Sequence, residues 1–401
     1  MARVDVLTKE YPPSIYGGAG VHVTELARVL REHVDVAVRC FGEPREEAGV
    51  VGYPEDGSLA RANATLSTLG VDLRMAADSA GAAVLHSHTW YANMAGHLGG
   101  LLHGVPHVVT AHSLEPLRPW KAEQLGGGYA VSSFCERTAF VGAQAVIAVS
   151  AGMRADILRC YPDIDPDRVH VVHNGIDTQA WARDTSPEAA STVRALGVDP
   201  GRPLLVFVGR ITRQKGLPYF LRALDRLPAE VQVVLCAGAP DTPEIMAEVT
   251  EGVHRLQERR EGVVWVDRVL PRQDLCRLLS HATAFVCPSV YEPLGIVNLE
   301  AMACGAAVVG TATGGIPEVV VPGETGWLVP IEQVDDGTGT PVDAERYVTD
   351  LADALTDAVS DADRARRYGE AGRARAREHF SWERIAEQTL EVYRSAGADL
   401  G

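Results

Sequence analysis

Two glutamates separated by seven residues are the strongest candidates for chemistry in this sequence. Glu292 lies between an apolar, strand-like run at 283–287 and a segment rich in helix formers, and Glu300 lies about one turn inside that segment. The unpaired amides of a helix start attract anions. A carboxylate beside them is therefore unusual unless it binds neutral polar groups such as sugar hydroxyls. The alternative is an exposed Glu292 followed by a favourable first-turn charge at Glu300.

A pair of cations follows another buried-strand run, at 204–208. Arg210 and Lys215 precede a helix whose apolar residues recur at helical spacing, while Arg213 between them is expected to face solvent. Arginine can bind two phosphate oxygens at once, and lysine supplies a compact charge. This arrangement predicts a diphosphate site, and surface cations in a loop are the alternative.

A glycine-rich loop follows the first strand, which starts at Arg3. Gly17 and Gly18 lie between that strand and a helix expected from Val21, and Lys9 opens the loop. Backbone amides of such a loop can close on a phosphate, although the spacing is not that of a dinucleotide fingerprint. An ordinary flexible connection is the alternative.

Histidine and aromatic residues follow two further strand-like runs. His86, His88, Trp90 and Tyr91 follow one run, and His112 follows the next. Two histidines suggest a metal, but no third ligand is evident nearby, so this ring-rich loop favours carbohydrate over zinc. A structural role is the alternative for His112.

A long polar insertion at 115–128 contains two further cations, Arg118 and Lys121. Structureless loops of this length are usually functional or disordered. We interpret the insertion as an acceptor-side lid whose cations could meet a phosphate, and a solvated loop is the alternative.

The composition indicates a globular protein with two or three domains. The 401 residues carry 37 basic and 53 acidic side chains, so the net charge of −16 argues against nucleic acid or an anionic membrane as a partner. Seven scattered cysteines without a Cys-x-x-Cys pair, and no apolar run of 18 residues, predict a cytoplasmic protein without disulfides.

Strand-like runs alternate with helix-length spacers through both halves of the chain. This alternation predicts an α/β protein with a doubly wound parallel sheet in each half. The runs start at Arg3, Val34, Ala82, Pro106, Ala145 and Arg168 in the first half, and at Leu204, Val231, Gly262, Thr283 and Ala306 in the second.

The motifs together resemble the retaining family-4 glycosyltransferases. The resemblance rests on the Glu-x7-Glu pair, the Arg210…Lys215 pair and the Asn-Gly-Ile-Asp turn at 174–177. The stretches at 10–13, 16–20, 86–91, 110–116 and 209–216 are most similar to the short bacterial glycogen-synthase type. The resemblance implies a GT-B fold, with two Rossmann-like domains facing a central cleft. The expected divisions are an acceptor-side domain at 1–180, a donor domain at 181–380, and a helix at 381–401 that returns to the first domain.

The resemblance also implies roles for individual residues. It implies that Glu292 faces the donor sugar, that Glu300 binds the ribose hydroxyls, and that His112 contacts the transferred sugar. The implied catalytic set is His112, Arg210, Lys215 and Glu292. The implied donor-binding set is Gly17, Gly18, Arg210, Lys215, Arg268, Pro293, Leu294, Gly295, Ile296 and Glu300. The acceptor side is assigned to Lys9, Trp90, Tyr91, Arg118 and Lys121. No cofactor or metal is expected, as is usual for this fold.

The implied reaction moves glucose from ADP-glucose to glucose-1-phosphate, giving α-maltose-1-phosphate, or onto an α-1,4-glucan in glycogen synthesis. Other family-4 transferases, using mannosyl or UDP-glucose donors, would share the donor motifs. A nucleotide-sugar epimerase and a non-catalytic glucan-binding protein are the remaining alternatives. A homodimer is compatible with the sequence.

Overall fold

A computed structural model describes residues 2–118, 121–122 and 126–401. The chain divides into two compact units, one formed by Met1–Gly175 with Trp382–Gly401 and the other by Ile176–Ser381. The lid predicted over 115–128 lies partly outside the described residues, at Pro119, Trp120 and 123–125.

The first unit contains a parallel sheet of seven strands. They are β1 (Arg3–Thr8), β2 (Asp35–Phe41), β3 (Val50–Tyr53), β4 (Val84–His88), β5 (His107–Ala111), β6 (Ala145–Ala148) and β7 (Val169–Val171). Their order is β3-β2-β1-β4-β5-β6-β7, so the winding reverses between β1 and β4. Ligands of such sheets bind beyond the carboxyl ends of the strands at this switch point.

Within the described residues before Gly175, the first unit has five helices with described bounds. They are α1 (Gly18–Leu30), α2 (Ala64–Asp78), α3 (Trp90–His103), α4 (Gly128–Gly142) and α5 (Ala151–Cys160). Helix α1 begins three residues before Val21, the predicted start, because glycines expected in the loop form the first turn of the helix. A Cβ at Gly20 would lie 2.7 Å from the Cβ of Glu10, so only glycine fits this close approach.

The second unit repeats the architecture with six parallel strands. They are β8 (Leu204–Arg210), β9 (Gln232–Gly238), β10 (Val263–Val266), β11 (Ala284–Cys287), β12 (Ala307–Thr311) and β13 (Gly326–Val329), in the order β10-β9-β8-β11-β12-β13. The helices are α6 (Pro187–Ala195), α7 (Leu217–Leu224), α8 (Pro243–Arg259), α9 (Arg272–His281), α10 (Ile296–Ala303), α11 (Ile316–Val319), α12 (Ala344–Ser360) and α13 (Ala362–His379). Here the winding reverses between β8 and β11.

The loops that leave β8 and β11 touch at this switch point. Gly216 has a left-handed φ of +64°, and a Cβ there would lie 1.9 Å from the carbonyl oxygen of Pro288. The amide of Val290 donates to the carbonyl of Gln214 at 2.9 Å. The two loops are therefore held as one rigid surface.

A final helix, α14 (Trp382–Ser395), completes the core of the first unit. Its residues Trp382, Ile385 and Tyr393 are at most 2% exposed and pack with residues of β1 and α1. A Cβ at Gly175 would lie 2.5 Å from the Trp382 ring, which explains the glycine at that position.

The predicted fold class is confirmed in both sheets, and two strands were missed. Strands β3 and β13 have only four residues each, lie at sheet edges, and contain glycines that weaken a strand pattern. All seven cysteines are free thiols, as predicted. Among the described residues, no helix is both long and apolar enough to span a membrane.

One buried carboxyl group of the first unit has an unusual proton affinity. Glu136 of α4 is 2% exposed, and its Oε1 accepts hydrogen bonds from the Glu115 amide at 2.8 Å and from the Tyr161 hydroxyl. Burial, reinforced by the charge of Glu115, raises the pKa of Glu136 to about 8. This group therefore stays protonated in the folded protein at neutral pH.

We expect Gly216→Ala to lower the free energy of unfolding by about 3 kcal/mol or more, since it combines a strained φ with a backbone clash. The matched control is Gly323→Ala, because Gly323 has a φ of +81° but nothing within 4 Å of an added Cβ. The control should lose only about 1–2 kcal/mol. Urea unfolding followed by circular dichroism measures both, and equal losses would contradict the loop contact.

We expect the stability of the protein to fall as pH rises from 4.5 towards 8, in part through Glu136. The unfolded chain releases this proton near pH 4.5, whereas the folded protein keeps it up to about pH 8. Glu136→Gln removes the titration but keeps an acceptor oxygen, so its stability relative to the parent should grow by roughly a few kcal/mol over this interval. Urea unfolding at pH 5 and 8 tests this. The exposed Glu387→Gln on α14 should show no such trend, and a constant difference for Glu136→Gln would contradict the expectation.

Candidate active site

The candidate site of the second unit lies beyond the carboxyl ends of β8 and β11. Lys215 follows β8 and Glu292 follows β11, so both lie at the topological switch point of the sheet. The Lys215 Nζ is 2.6 Å from Glu292 Oε2, and Ser289 Oγ donates to the same oxygen at 3.1 Å. The side chains of Lys215 and Glu292 are only 19% and 8% exposed, respectively. Burial is the largest single effect and would lower the pKa of Lys215, but the charge of Glu292, the nearby Cys287 and the hydrogen bond to Glu292 together raise that pKa. The ammonium group is therefore charged and held by the carboxylate.

The backbone of Glu292 is fixed by the loop that follows β12. Its carbonyl accepts a hydrogen bond from the Gly315 amide at 2.9 Å, and a Cβ at Gly314 would lie 2.0 Å from the same oxygen. These two glycines thus support the carboxylate residue.

Glu300 and the start of α10 complete this surface. Leu294 is buried, and Gly295 adopts a left-handed φ of +93° that allows α10 to begin at Ile296 after Pro293. Glu300 lies in the second turn of that helix. Burial and the nearby Cys276 raise the pKa of Glu300 to about 8, against an opposing effect of Lys215.

Arg210 and Arg268 differ from Lys215 in exposure. The Arg210 side chain is 46% exposed and forms an ion pair with Asp241 at 3.0 Å, and Arg268 is exposed just after β10. Arg213, expected to face solvent, is 64% exposed. A diphosphate would have to compete with Asp241 for the Arg210 guanidinium.

In the first unit, the loop after β1 is organised by Glu10. One oxygen of this buried carboxylate accepts hydrogen bonds from the amides of Tyr16 and Gly17, at 3.0 and 2.8 Å. The predicted phosphate role of Gly17 would require this bond to open, while Gly18 starts α1. Sequence reasoning missed Glu10, because its partner amides become visible only in the folded loop.

The histidines beyond β4 and β5 form one buried group. The expectation that His86 and His88 lie in a loop is wrong, since both belong to β4 and are fully buried. The partly exposed His112 places its Nε2 3.0 Å from the Nδ1 of His88. His22 of α1, which sequence reasoning missed, has its ring centroid 4.8 Å from that of His112. Its only signal was a histidine on the buried face of an apolar helix.

These histidines are neutral at pH 7. Burial lowers the pKa of His22 to about 4, against a smaller effect of Asn174. Burial and the neighbouring rings lower the pKa of His88 and of His112 well below the usual value. The surface can therefore exchange hydrogen bonds with a neutral ligand without carrying charge.

Two residues expected on the acceptor side are used inside the fold. Trp90 is 3% exposed and packs with Met94 and Cys135, so its ring belongs to the core and is not free to stack on a sugar. Lys121 is buried and forms an ion pair with Glu115 at 2.9 Å, so it is not the free cation that was expected. The isolated sequence cannot show either partner.

The other acceptor-side candidates remain partly accessible. The Lys9 Nζ lies 3.8 Å from the centroid of the Tyr91 ring, and Arg118 donates to the Ser113 hydroxyl at 3.1 Å. Burial lowers the pKa of Lys9. A cation over an aromatic ring offers both charge and a flat apolar face at one place.

Known families and proteins match both units. Residues 16–180 match the family described as Glycosyltransferase Family 4, and residues 202–360 match Glycosyl transferases group 1. The chain is 58% identical to the α-maltose-1-phosphate synthase of Mycolicibacterium smegmatis and 55% identical to that of Mycobacterium tuberculosis. Each match covers 99% of this chain and 100% of the relative.

The fold has a counterpart among solved structures. The sucrose-phosphate synthase of Thermosynechococcus elongatus matches with a TM-score of 0.77 and 24% identity, covering 99% of this chain and 100% of that one. Two doubly wound parallel sheets, the motifs at their switch points and the full-length relatives lead to one conclusion. The chain belongs to family 4 of the glycosyltransferases and has the GT-B fold.

Proposed function

We propose that this protein is a retaining glucosyltransferase that moves glucose from ADP-glucose to glucose-1-phosphate, forming α-maltose-1-phosphate and ADP. The observation that carries the proposal is the 58% identity, over the full length, to a relative that bears the name of this activity. An α-1,4-glucan is the second acceptor in the proposal. The reaction is assigned to the cytoplasm, where free thiols such as these seven stay reduced.

The donor is assigned to the second unit, where Lys215 and Glu292 neutralise each other. A bound nucleotide sugar can separate this ion pair, because it offers each of the two charged side chains a new partner. Its diphosphate draws the Lys215 ammonium and the Arg210 guanidinium, while its sugar hydroxyls donate to the freed Glu292 carboxylate. Glu300 is assigned to the ribose hydroxyls, and Arg268 with residues 293–296 to the rest of the nucleotide.

The acceptor is assigned to the first unit, together with the contact of His112 on the transferred sugar. Lys121 is already neutralised by Glu115, which leaves Lys9 and Arg118 as the cations for the acceptor phosphate. Tyr91, beneath Lys9, supplies the aromatic face for the acceptor ring. Gly18 at the start of α1 remains assigned to a donor phosphate.

The proposed reaction breaks the bond between the anomeric carbon and the diphosphate oxygen, and forms a bond to an acceptor hydroxyl on the same face. The acceptor proton passes to the leaving phosphate oxygen. Negative charge grows on the diphosphate as it leaves, and Lys215 with Arg210 would stabilise it at that point. No divalent metal takes part in this scheme.

A donor-by-acceptor assay tests the proposal. The purified protein is given ADP-glucose, UDP-glucose, GDP-glucose or GDP-mannose, each with glucose-1-phosphate, with glycogen or without acceptor. We expect ADP release that depends on glucose-1-phosphate, and an α-linked disaccharide phosphate as the product. Nucleotide release with glycogen alone would identify the protein as a glucan synthase. Faster release from another nucleotide sugar would replace ADP-glucose as the proposed donor. Nucleotide-sugar binding without turnover would contradict the transferase assignment.

We expect Lys215→Ala to lower turnover by about 10² or more, because it removes the charge that meets the leaving diphosphate. The matched control is Arg213→Ala, two residues away in the same loop, whose exposed side chain has no assigned role. Initial rates with ADP-glucose and glucose-1-phosphate measure both variants.

Loss of Lys215 also leaves Glu292 buried without its partner, so folding has to be checked separately. Lys215→Met keeps the apolar stem, and circular dichroism identifies which variants are folded. A folded Lys215 variant with nearly parental turnover would contradict the site assignment.

A further inference from the structure

Three histidines of the first unit point their ring nitrogens at one place. His22 comes from α1, His88 is the last residue of β4, and His112 follows β5. One nitrogen from each ring lies within 4.8 Å of the others. Because β4 and β5 are parallel neighbours, His88 and His112 meet at the carboxyl ends of these strands, and α1 supplies the third ring.

Several of these nitrogens are buried without hydrogen-bond partners. His22 is 2% exposed, and neither of its ring nitrogens has a hydrogen-bond partner of standard geometry within the described part of the chain, although the Asn174 side chain lies close enough to interact with the ring. His88 is fully buried, and its Nε2 also lacks a partner among those residues. Buried polar atoms usually have a hydrogen-bond partner, because an unpaired one loses its hydration without replacement. An ion bound at this place would give one His22 nitrogen a partner, whereas the unpaired Nε2 of His88 is not the nitrogen that faces His112.

The geometry of the group suits a tetrahedral metal ion. The Nδ1 of His88 and the Nε2 of His112 are 3.0 Å apart. Two imidazole nitrogens at about 2.0–2.1 Å from one zinc ion lie roughly 3.3 Å apart, so the His88–His112 pair would open slightly and the His22 nitrogen, up to 4.8 Å away, would move inward. Three neutral imidazoles with an open fourth position form a typical catalytic-type zinc ligand set.

The protons also balance when a metal binds. One proton is shared between His88 Nδ1 and His112 Nε2, and a metal needs the lone pairs of both atoms. That proton can move to the other nitrogen of its own ring. Both rings then stay neutral and no proton has to leave the site. His112 is the one ring of the three that is partly exposed to solvent.

We propose that His22, His88 and His112 form a binding site for one transition-metal dication of the Zn²⁺ type, with a water as its fourth ligand. Occupation inhibits sugar transfer, because the metal takes the His112 side chain that the transferred sugar requires. The inhibition rests on the proposed function, whereas the binding does not.

Binding is tested with Co²⁺ and Zn²⁺ on full-length protein that carries no histidine tag. We expect one Co²⁺ per chain, with the intense visible absorption of a four-coordinate ion, displaced by one equivalent of Zn²⁺. His22→Gln and His88→Gln should each weaken Co²⁺ binding at least about 10-fold. The matched control is His170→Gln, a half-buried histidine of β7 outside the group, which should bind like the parent.

Three outcomes would overturn the site. They are no visible band with the parent protein, a band that persists unchanged in His22→Gln, or the charge-transfer absorption of a cobalt–thiolate bond. Variants are compared only when their thermal transitions match the parent. X-ray absorption of the Zn²⁺-loaded parent, which needs no variant, should show three imidazole nitrogens, and any other ligand set would also overturn the site.

The inhibition is tested in the donor-by-acceptor assay. One equivalent of Zn²⁺ should reduce turnover at least about 10-fold, a chelator should restore it, and His22→Gln should be less sensitive. Zn²⁺ binding without inhibition would overturn the role of His112. Zn²⁺ binding by a protein that transfers no sugar would leave the site standing and remove the proposed function.

Discussion

The contact between Lys215 and Glu292 is the interaction on which the second unit's site depends. Transferring a carboxylate into a protein interior costs several kcal/mol unless an opposite charge and hydrogen bonds accompany it. Here the ammonium group and the Ser289 hydroxyl supply both. The pair is possible only because β8 and β11 are neighbours, and because Gly216 lets their two loops approach within van der Waals contact. The contact between the two charged side chains therefore depends on the backbone geometry of the two loops.

The first unit brings polar groups together without charge. His22, His88 and His112 are buried deeply enough to be neutral, and His86 is held between the Tyr393 hydroxyl and Thr110, each at 2.7 Å. A neutral hydrogen-bonding surface suits a hydroxylated ligand, whereas the paired charges of the second unit suit a diphosphate. The two switch points thus have different electrostatics although the sheets share one winding pattern.

The sequence allowed the central strands and the polar residues at their carboxyl ends to be predicted, because buried parallel strands are continuous apolar runs. The short edge strands β3 and β13 lack such runs and were missed. Residues whose roles depend on a partner that only the folded chain brings into contact were predicted least well. Lys121 was expected to be free and is paired with Glu115, and Trp90 was expected at a ligand surface and lies in the core. Glu10 and His22 were missed for the same reason, since their contacts come from loops and helices that only the fold brings together.

The position of α14 has a consequence for how the chain is made. Trp382, Ile385 and Tyr393 fill the core of the first unit, yet the ribosome delivers them after the whole of the second unit. Domains generally fold as units during synthesis, in chain order. Here the first sheet emerges with part of its apolar surface uncovered, and it waits for about two hundred residues of the second unit before that surface is closed. The second unit, which is continuous in sequence, can finish folding while the first is still incomplete. During synthesis from the N-terminus, the second unit can therefore complete its core before the first unit does.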